Sequence, residues 1–430
     1  MSLSASEPSL RTWRPLWPEG APPEAEGALE AIVEAVASAS ERSDLAGGAA
    51  GQALLHGYLE LARPGRGHRE RALALLDAAI EGVGAKIMGP GFYAGFTGIA
   101  WTVDHLRSRL DLDLGADAND AIDEALLTYL EASPWAADYD LISGLVGLGV
   151  YALERLDGAA GRAIAERVLT HLEALKVPFE PGWTWATPPE LLPPWQRERS
   201  PEGYYNLGLA HGMPGILALL GHLHARGFEP ERCLSLLEGG VRWLLAQRKP
   251  EGFGSAFTAW NPIGEGPREG PTRLSWCYGD LGLSLALLVA ARGAGREDWE
   301  AEALALARAA AGRKPPEGAQ DACLCHGFAG NAHLFNRLWQ ATREDAFAEA
   351  ARAWMSATLA ARRPGQGIAG YRAWMPGVEG EDPWRDEAGL LEGAVGIGLA
   401  LAAALDPVAP AWDRMLLVDV PDLKGAADQR

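Results

Sequence analysis

The sequence predicts an all-α fold: an α/α toroid in which seven helical hairpins close into an inner and an outer layer of helices. Three observations predict it. A Gly-x-x-Gly pair recurs seven times along the 430 residues. Each pair opens an apolar stretch, and amphipathic stretches rich in Ala, Leu, Glu and Arg lie between the pairs. One such pair means nothing in a chain with 52 glycines, but seven at two clustered intervals mark a repeated supersecondary unit.

In chain order the pairs are Gly48/Gly51, Gly95/Gly98, Gly144/Gly147, Gly212/Gly215, Gly279/Gly282, Gly327/Gly330 and Gly393/Gly396. Successive first glycines are 47, 49, 68, 67, 48 and 66 residues apart. The stretches they open, from GQALLHGYLELA to GIGLALAAAL, are apolar nearly all round and suit buried inner helices. Segments 160–175, 231–247, 298–311 and 343–361 keep a charged face at helical spacing and suit the outer layer. The predicted unit is an outer helix, a glycine turn and an inner helix, giving about fourteen helices. Glycine lets backbones approach closely and take turn dihedrals that other residues avoid.

Intervals near 48 are the bare unit. The three longer ones carry inserts near 177–206, 249–273 and 362–387, rich in Pro, Gly and Trp. Residues 1–430 are expected to form a single toroid domain, with the inserts on the rim that bears the glycine turns, some as short strands. Long irregular connections inside a compact domain are often functional, so the inserts are expected to wall a substrate groove.

The apolar fraction of 48% supports a sizeable core. The chain has 38 basic and 57 acidic residues, a net charge of −19. That argues against nucleic acid, whose binding needs basic surface to release counterions, and against anionic membranes. The N-terminus MSLSASEPSLRTWRPLWPEG lacks a basic region followed by an apolar core, so no secretory signal is evident. The most apolar stretch, around 394–405 with Glu392 at its head, is too short to span a bilayer. A cytoplasmic protein is expected. Its four cysteines, Cys233, Cys277, Cys323 and Cys325, make no disulfide framework, and clustered Cys and His in a reducing compartment point to metal or catalysis.

Ser-Trp-Cys-Tyr-Gly at 275–279 and Cys-His-Gly at 325–327 carry the chemistry. Cys277, Cys325 and His326 form a three-ligand zinc set, which leaves a tetrahedral ion one open position. Two thiolates neutralise the zinc charge, so a third thiolate from a substrate stays nucleophilic. The pattern points to an enzyme that activates a cysteine of another molecule. Either cysteine alone would read as a small buried hydrophobe; both at equivalent turns, one followed by His, point to metal. Cys323 is expected to face elsewhere and Cys233 to be structural.

His211, one residue before Gly212, suits general acid/base work. His56, His105, His171, His222, His224 and His333 are expected to be core or capping residues. Asp140, four residues before Gly144, pairs with His211, moves a proton itself or caps its helix. Arg273 either aims donors at developing oxyanion charge or forms a surface salt bridge. Tyr278 brings a hydroxyl to the site or only packs.

Ala-His-Gly-x-x-Gly at 210–215, Trp-Cys-Tyr-Gly at 276–279 and Cys-His-Gly-x-x-Gly at 325–330 resemble the lanthionine-forming cyclase (LanC-like) family, and the sevenfold glycine pattern agrees. The resemblance implies a zinc-dependent α/α toroid, a lanthionine synthetase C-type cyclase of lantibiotic biosynthesis. Such an enzyme adds peptide cysteine thiols to dehydroalanine or dehydrobutyrine in a ribosomal precursor peptide, forming thioether rings. It implies Cys277, Cys325 and His326 as zinc ligands, with His211, Asp140, Arg273 and Tyr278 as active-site residues. His211 is then the leading proton donor to the enolate, with Asp140 tuning it or taking the thiol proton. Leu281 stands where the family often has Pro, so a local change of turn is expected there. A stand-alone cyclase is expected, with a separate dehydratase and a transporter as partners. The alternatives are a LanC-like thiol-, glutathione- or peptide-binding protein without cyclase activity, and a prenyltransferase-like zinc toroid. A glycoside-processing toroid would need a second carboxylate beside Asp140, for which Asp280 is the candidate.

Overall fold

The computed structural model describes residues 13–38, 40–112, 118–267, 270–377 and 382–422. Its helices follow the glycine repeat. They are α1 (Pro23–Ala35), α2 (Ala49–Ala62), α3 (His68–Ala85), α4 (Phe96–Leu110), α5 (Asp120–Tyr129), α6 (Leu145–Glu154), α7 (Ala159–Leu175), α8 (Pro194–Arg199), α9 (Met213–Ala225), α10 (Pro230–Ala246), α11 (Asp280–Ala294), α12 (Glu297–Ala311), α13 (Phe328–Thr342), α14 (Asp345–Ala361) and α15 (Ala394–Leu405). Helices α2, α4, α6, α9, α11, α13 and α15 each begin at the residue after the first glycine of a pair. Each packs on the next round a closed ring, α15 returning to α2. Among the described residues, no helix is long and apolar enough to cross a membrane.

The hairpins run from inner to outer helix, the reverse of the predicted unit. Inner α2, α4, α6, α9, α11 and α13 pack on the outer helices that follow them, and the last inner helix, α15, packs on α1. Connection length is the reason. Ala294 of α11 is followed almost at once by Glu297 of α12, and Thr342 of α13 by Asp345 of α14; short connections make antiparallel neighbours. The ring is thus sealed by both ends of the chain. Trp13 donates its indole N–H to the Ala403 carbonyl (2.7 Å) and Leu16 its backbone N–H to Ala404 (2.8 Å).

Short antiparallel strands occupy the three inserts. β1 (Lys176–Phe179) pairs with β2 (Gly182–Trp185), β3 (Tyr204–Asn206) with β4 (Trp260–Pro262), and β5 (Ala373–Trp374) with β6 (Trp384–Arg385). In the β3–β4 register Tyr205 opposes Asn261 and Asn206 opposes Trp260, which joins the first insert to the second. The insert residues 268–269 and 378–381, and the N-terminal residues 1–12, lie outside the described residues.

A closed circuit of backbone hydrogen bonds links the glycine turns. Ala46 N–H donates to Tyr93 (2.9 Å), Tyr93 to Ile142 (3.1 Å), Leu141 to Ala210 (3.1 Å) and Ala210 to Cys277 (3.4 Å). Trp276 then donates to Cys325 (3.2 Å), Cys325 to Leu391 (2.8 Å) and Leu390 back to Ala46 (2.7 Å). Buried peptide groups left unpaired would each cost about 1–3 kcal/mol, so the circuit holds the seven turns in one register. The first glycines are mostly needed for space. Gly48 has an ordinary extended backbone, and a Cβ there would lie 2.5 Å from the Asp44 amide nitrogen. Only Gly279, just before Asp280–Leu281, combines this place with a positive φ (97°), which favours glycine.

The C-terminal segment threads the ring. Asp413 accepts from Arg337 (2.7 Å) and pairs with His333 (2.9 Å), both on α13. Arg414 pairs with Glu154 of α6 (3.0 Å) and with Asp419 (3.0 Å), which pairs with His222 of α9 (2.9 Å). Helices α6 and α13 lie across the ring from each other, so a segment touching both runs through its middle. Between these contacts it passes beneath the turns, where the Leu416 carbonyl accepts from the Trp276 indole (2.9 Å) and the Met415 carbonyl from Tyr93 (2.7 Å). Removing one member of a buried ionic network costs about 3–5 kcal/mol because its partners stay buried and uncompensated. Arg414→Met is therefore expected to lower stability by about 3 kcal/mol, measured by calorimetric unfolding; an unchanged transition would show that the network carries no stability.

Candidate metal and proton-transfer site

All inner helices start at the turns, so their N-termini face one mouth of the ring. Cys277 lies three residues before α11 and Cys325 three before α13, on neighbouring turns joined by the Trp276–Cys325 hydrogen bond. Their sulfurs and a ring nitrogen of His326 lie within 4.8 Å of one another. A tetrahedral ion with metal–sulfur bonds of ~2.3 Å and metal–nitrogen bonds of ~2.0 Å spans its ligands by about 3.5–4 Å, so the set fits one ion with little adjustment. Helix N-termini favour negative charge and thiolates.

The sulfurs are electrostatically unequal. The neighbouring Cys325 thiol pulls the Cys277 pKa well below its ordinary value against the cost of burial, helped by His326 and Arg273. The same proximity to Cys277, then burial, pushes the Cys325 thiol well up. Arg273 donates from Nη2 to the Cys277 sulfur (3.6 Å), and the Ser275 hydroxyl lies 3.5 Å from it. Among the described residues Arg273 has no carboxylate within salt-bridge distance, so its partner is the thiolate and the surface salt bridge is not formed.

Cys323 does not face away as expected. Its sulfur accepts the His326 backbone N–H (3.4 Å) and lies with Asp321 and His326 in a second group of ligand atoms within 4.8 Å of one another. Two residues along an irregular turn do not reverse a side chain as they would not in a strand either. Burial first, then Asp321, holds the Cys323 thiol well above its ordinary value, so it stays protonated. Burial lowers the His326 pKa, but the Cys277 hydrogen bond and charge and the Asp321 charge outweigh it and raise it. A carboxylate behind a ligating imidazole orients such a ring. Cys233 lies apart, buried on α10 with its pKa pushed up to about 12 by burial.

The turns before α6 and α9 supply a hydrogen-bonded His–Asp pair. His211 Nδ1 and Asp140 Oδ2 are 2.7 Å apart. Asp140 also caps: its Oδ1 accepts from the backbone N–H groups of Ser143 (2.8 Å) and Gly144 (3.0 Å). Asp140 therefore pairs with His211 through one oxygen and caps its helix through the other. Burial alone would lower the His211 pKa, but the hydrogen bond and charge of Asp140, with Cys277 nearby, raise it. The imidazole remains 42% exposed, open to a substrate. Its ring stacks on Tyr278 (centroids 6.0 Å apart), whose hydroxyl accepts from Asn206 (3.2 Å). Burial drives the Tyr278 pKa well up, so the hydroxyl keeps its proton.

Asp280 is not a second carboxylate for Asp140. Its oxygens accept from the backbone N–H groups of Ala256 (2.7 Å) and Phe257 (3.1 Å), tying the second insert to α11. Asp321, Asn206, Ser275 and Glu392 were not singled out for the site by sequence reasoning. Only Ser275 had a local signal, a hydroxyl residue three before a tight-turn Gly-preceding Tyr, where it receives the Tyr278 N–H (3.1 Å). Burial raises the Glu392 pKa, and the charge of His326, which opposes that rise, reaches it only because turns six and seven meet.

A double ring of helices whose consecutive turns present a His–Asp pair and a Cys–Cys–His set defines a toroid with a sulfur-rich candidate metal centre. The sequence model of the family described as lanthionine synthetase C-like protein matches residues 39–417, and the chain belongs to that family. It is 26% identical over 303 residues to the nisin biosynthesis protein NisC of Lactococcus lactis subsp. lactis, covering 64% of this chain and 70% of that protein. The solved structure titled nisin cyclase superposes with a TM-score of 0.72 at 19% identity, covering 92% of this chain and 96% of the other, and so shares its fold.

Proposed function

We propose that this protein is a cyclase of lantibiotic biosynthesis that forms lanthionine or methyllanthionine rings in a ribosomal precursor peptide. The convergence of the Cys277–Cys325–His326 set and the His211–Asp140 pair at one mouth of the ring carries the reading. Cys277, Cys325 and His326 would hold a zinc ion, which when bound would lower the pKa of a substrate thiol. The peptide sulfur bonds to the β-carbon of dehydroalanine or dehydrobutyrine, and the π electrons of the broken double bond move toward the α-carbon and its carbonyl oxygen. His211 gives the α-carbon a proton, and Asp140 holds the imidazole with Nδ1 engaged so that its other nitrogen faces outward. Arg273 donates to the enolate oxygen, while Tyr278 flanks the imidazole. The thiol proton lost balances the one gained, so no oxidant or reductant is required. The peptide arrives already dehydrated at Ser or Thr by a separate dehydratase in the cytoplasm, and a transporter takes the product onward.

Ring closure leaves the peptide mass unchanged, so the test counts free thiols. A dehydrated cysteine-containing peptide is incubated with the zinc-loaded protein, then alkylated and weighed. The expected result is loss of alkylation that depends on protein and is prevented by a chelator. Thiols that stay as labelled as in buffer would refute the cyclase reading.

A further inference from the structure

The aromatic side chains of the first two inserts form a row that starts at the proton-handling pair. Tyr278, stacked on His211, meets Trp260 of β4 edge-on with centroids 6.1 Å apart. Trp260 packs against Tyr204 of β3 (5.8 Å) and reaches Trp195 of α8 at 6.3 Å. Trp195 ends the row at the surface, 51% exposed, with the Arg199 guanidinium over its ring at 5.7 Å. Other tryptophans of this chain, including Trp101, Trp185, Trp276, Trp354 and Trp412, are fully buried. An indole left in water beside a ladder of packed rings keeps apolar surface available, and such aromatic anchors are enriched where proteins bind peptides and other proteins.

We infer that this row is a docking track for the substrate peptide, on which a large aliphatic or aromatic side chain of the peptide seats against Trp195 and Trp260. Its occupant rests on the ring-forming reading above, and its place rests on continuity: the inner end of the row is the ring that flanks His211, where the reacting residue must arrive. Three steps of 6.0, 6.1 and 6.3 Å separate His211 from Trp195. An extended peptide covers that reach in roughly five or six residues at ~3.3 Å each. The recognised side chain therefore lies within about six residues of the reacting one. The exposed part of the row is mainly ring face, so the track selects bulk and apolarity over a particular residue.

The test uses the full-length zinc-loaded protein, with Trp195→Ala and Trp195→Phe. Fluorescence anisotropy follows binding of a labelled dehydrated peptide, and alkylation follows its cyclisation. A second peptide carries Ala in place of its large apolar residues near the reacting site. Trp195→Ala is expected to weaken binding and raise KM about tenfold, the scale of an aromatic interface anchor, with kcat changed less than about twofold. Trp195→Phe should recover most of the loss, and the penalty should vanish on the Ala-substituted peptide. Unaltered binding by Trp195→Ala, or an equal penalty on both peptides, overturns the proposal. If the wild-type protein binds the peptide but closes no ring, the cyclase reading fails, and the anisotropy arm still decides the track.

Discussion

Cys325→Ala is expected to yield a folded protein that retains no zinc and closes no rings. The fold persists because Cys325 serves the circuit of turns through its backbone: its N–H donates to Leu391 and its carbonyl accepts from Trp276. Those bonds survive truncation of the side chain, and the residue is only partly buried, so little cavity follows. Metal retention is different. The set offers two sulfurs and one nitrogen, and its charge-neutralising pair of thiolates becomes a single one. Removing groups that merely orient a ligand costs 10–100-fold in metal affinity or activity, so losing a ligand outright is expected to cost more than about 100-fold. Elemental analysis after gel filtration reads the metal, and alkylation of a dehydrated peptide reads the rings. Cys323→Ala is the control. Its sulfur accepts a backbone N–H and stays protonated, so zinc should remain. Zinc retained by Cys325→Ala and lost from Cys323→Ala would reassign the centre to the Asp321–Cys323–His326 group.

His211→Ala separates proton transfer from metal binding. The imidazole is hydrogen-bonded to Asp140 and belongs to neither group of candidate metal ligands, so the variant should keep its zinc and its peptide affinity. Ring closure should fall about 10²–10⁴-fold, the usual contribution of a positioned acid or base. The pH dependence carries the sign. Asp140 raises the His211 pKa, against burial, and the donor form is the imidazolium. Activity limited by that proton is complete below the raised pKa and declines as pH climbs through it. Asp140→Asn removes the charge that raises the pKa, so the decline should begin at lower pH. Profiles of kcat/KM for wild-type and Asp140→Asn protein decide it. A His211→Ala variant that cyclises at the wild-type rate, or an alkaline limb that ignores Asp140→Asn, rules out His211 as the donor.

The two variants fail in distinguishable ways because their residues reach the mouth on different turns. Asp140 and His211 come from the turns of α6 and α9, and Cys277 and Cys325 from those of α11 and α13. The backbone circuit joins all four in sequence, from Leu141 to Ala210, Ala210 to Cys277, and Trp276 to Cys325. Substituting one side chain leaves the other three anchored. The C-terminal segment supports the same region from below through the Trp276–Leu416 hydrogen bond.

The glycine repeat by itself determined the seven inner helices, their starts and the all-α class, because close backbone approach leaves a periodic mark in composition. The meeting of Cys277, Cys325 and His326, and of His211 with Asp140, was expected from the sequence for a similar reason: residue types suited to metal and proton chemistry recur at equivalent turns. Tertiary structure alone decided what depends on meetings across the ring. The direction of the hairpins followed from which connections are short, and α1 became the partner of α15 only once the ring closed. Asp140 proved to be both cap and histidine partner, while Asp280 turned to the second insert. The row from Tyr278 to Trp195 and the C-terminal thread through the ring join residues far apart in the chain. Such contacts follow no local period, because each is set by the packing of many helices at once and leaves no pattern along the chain to be read.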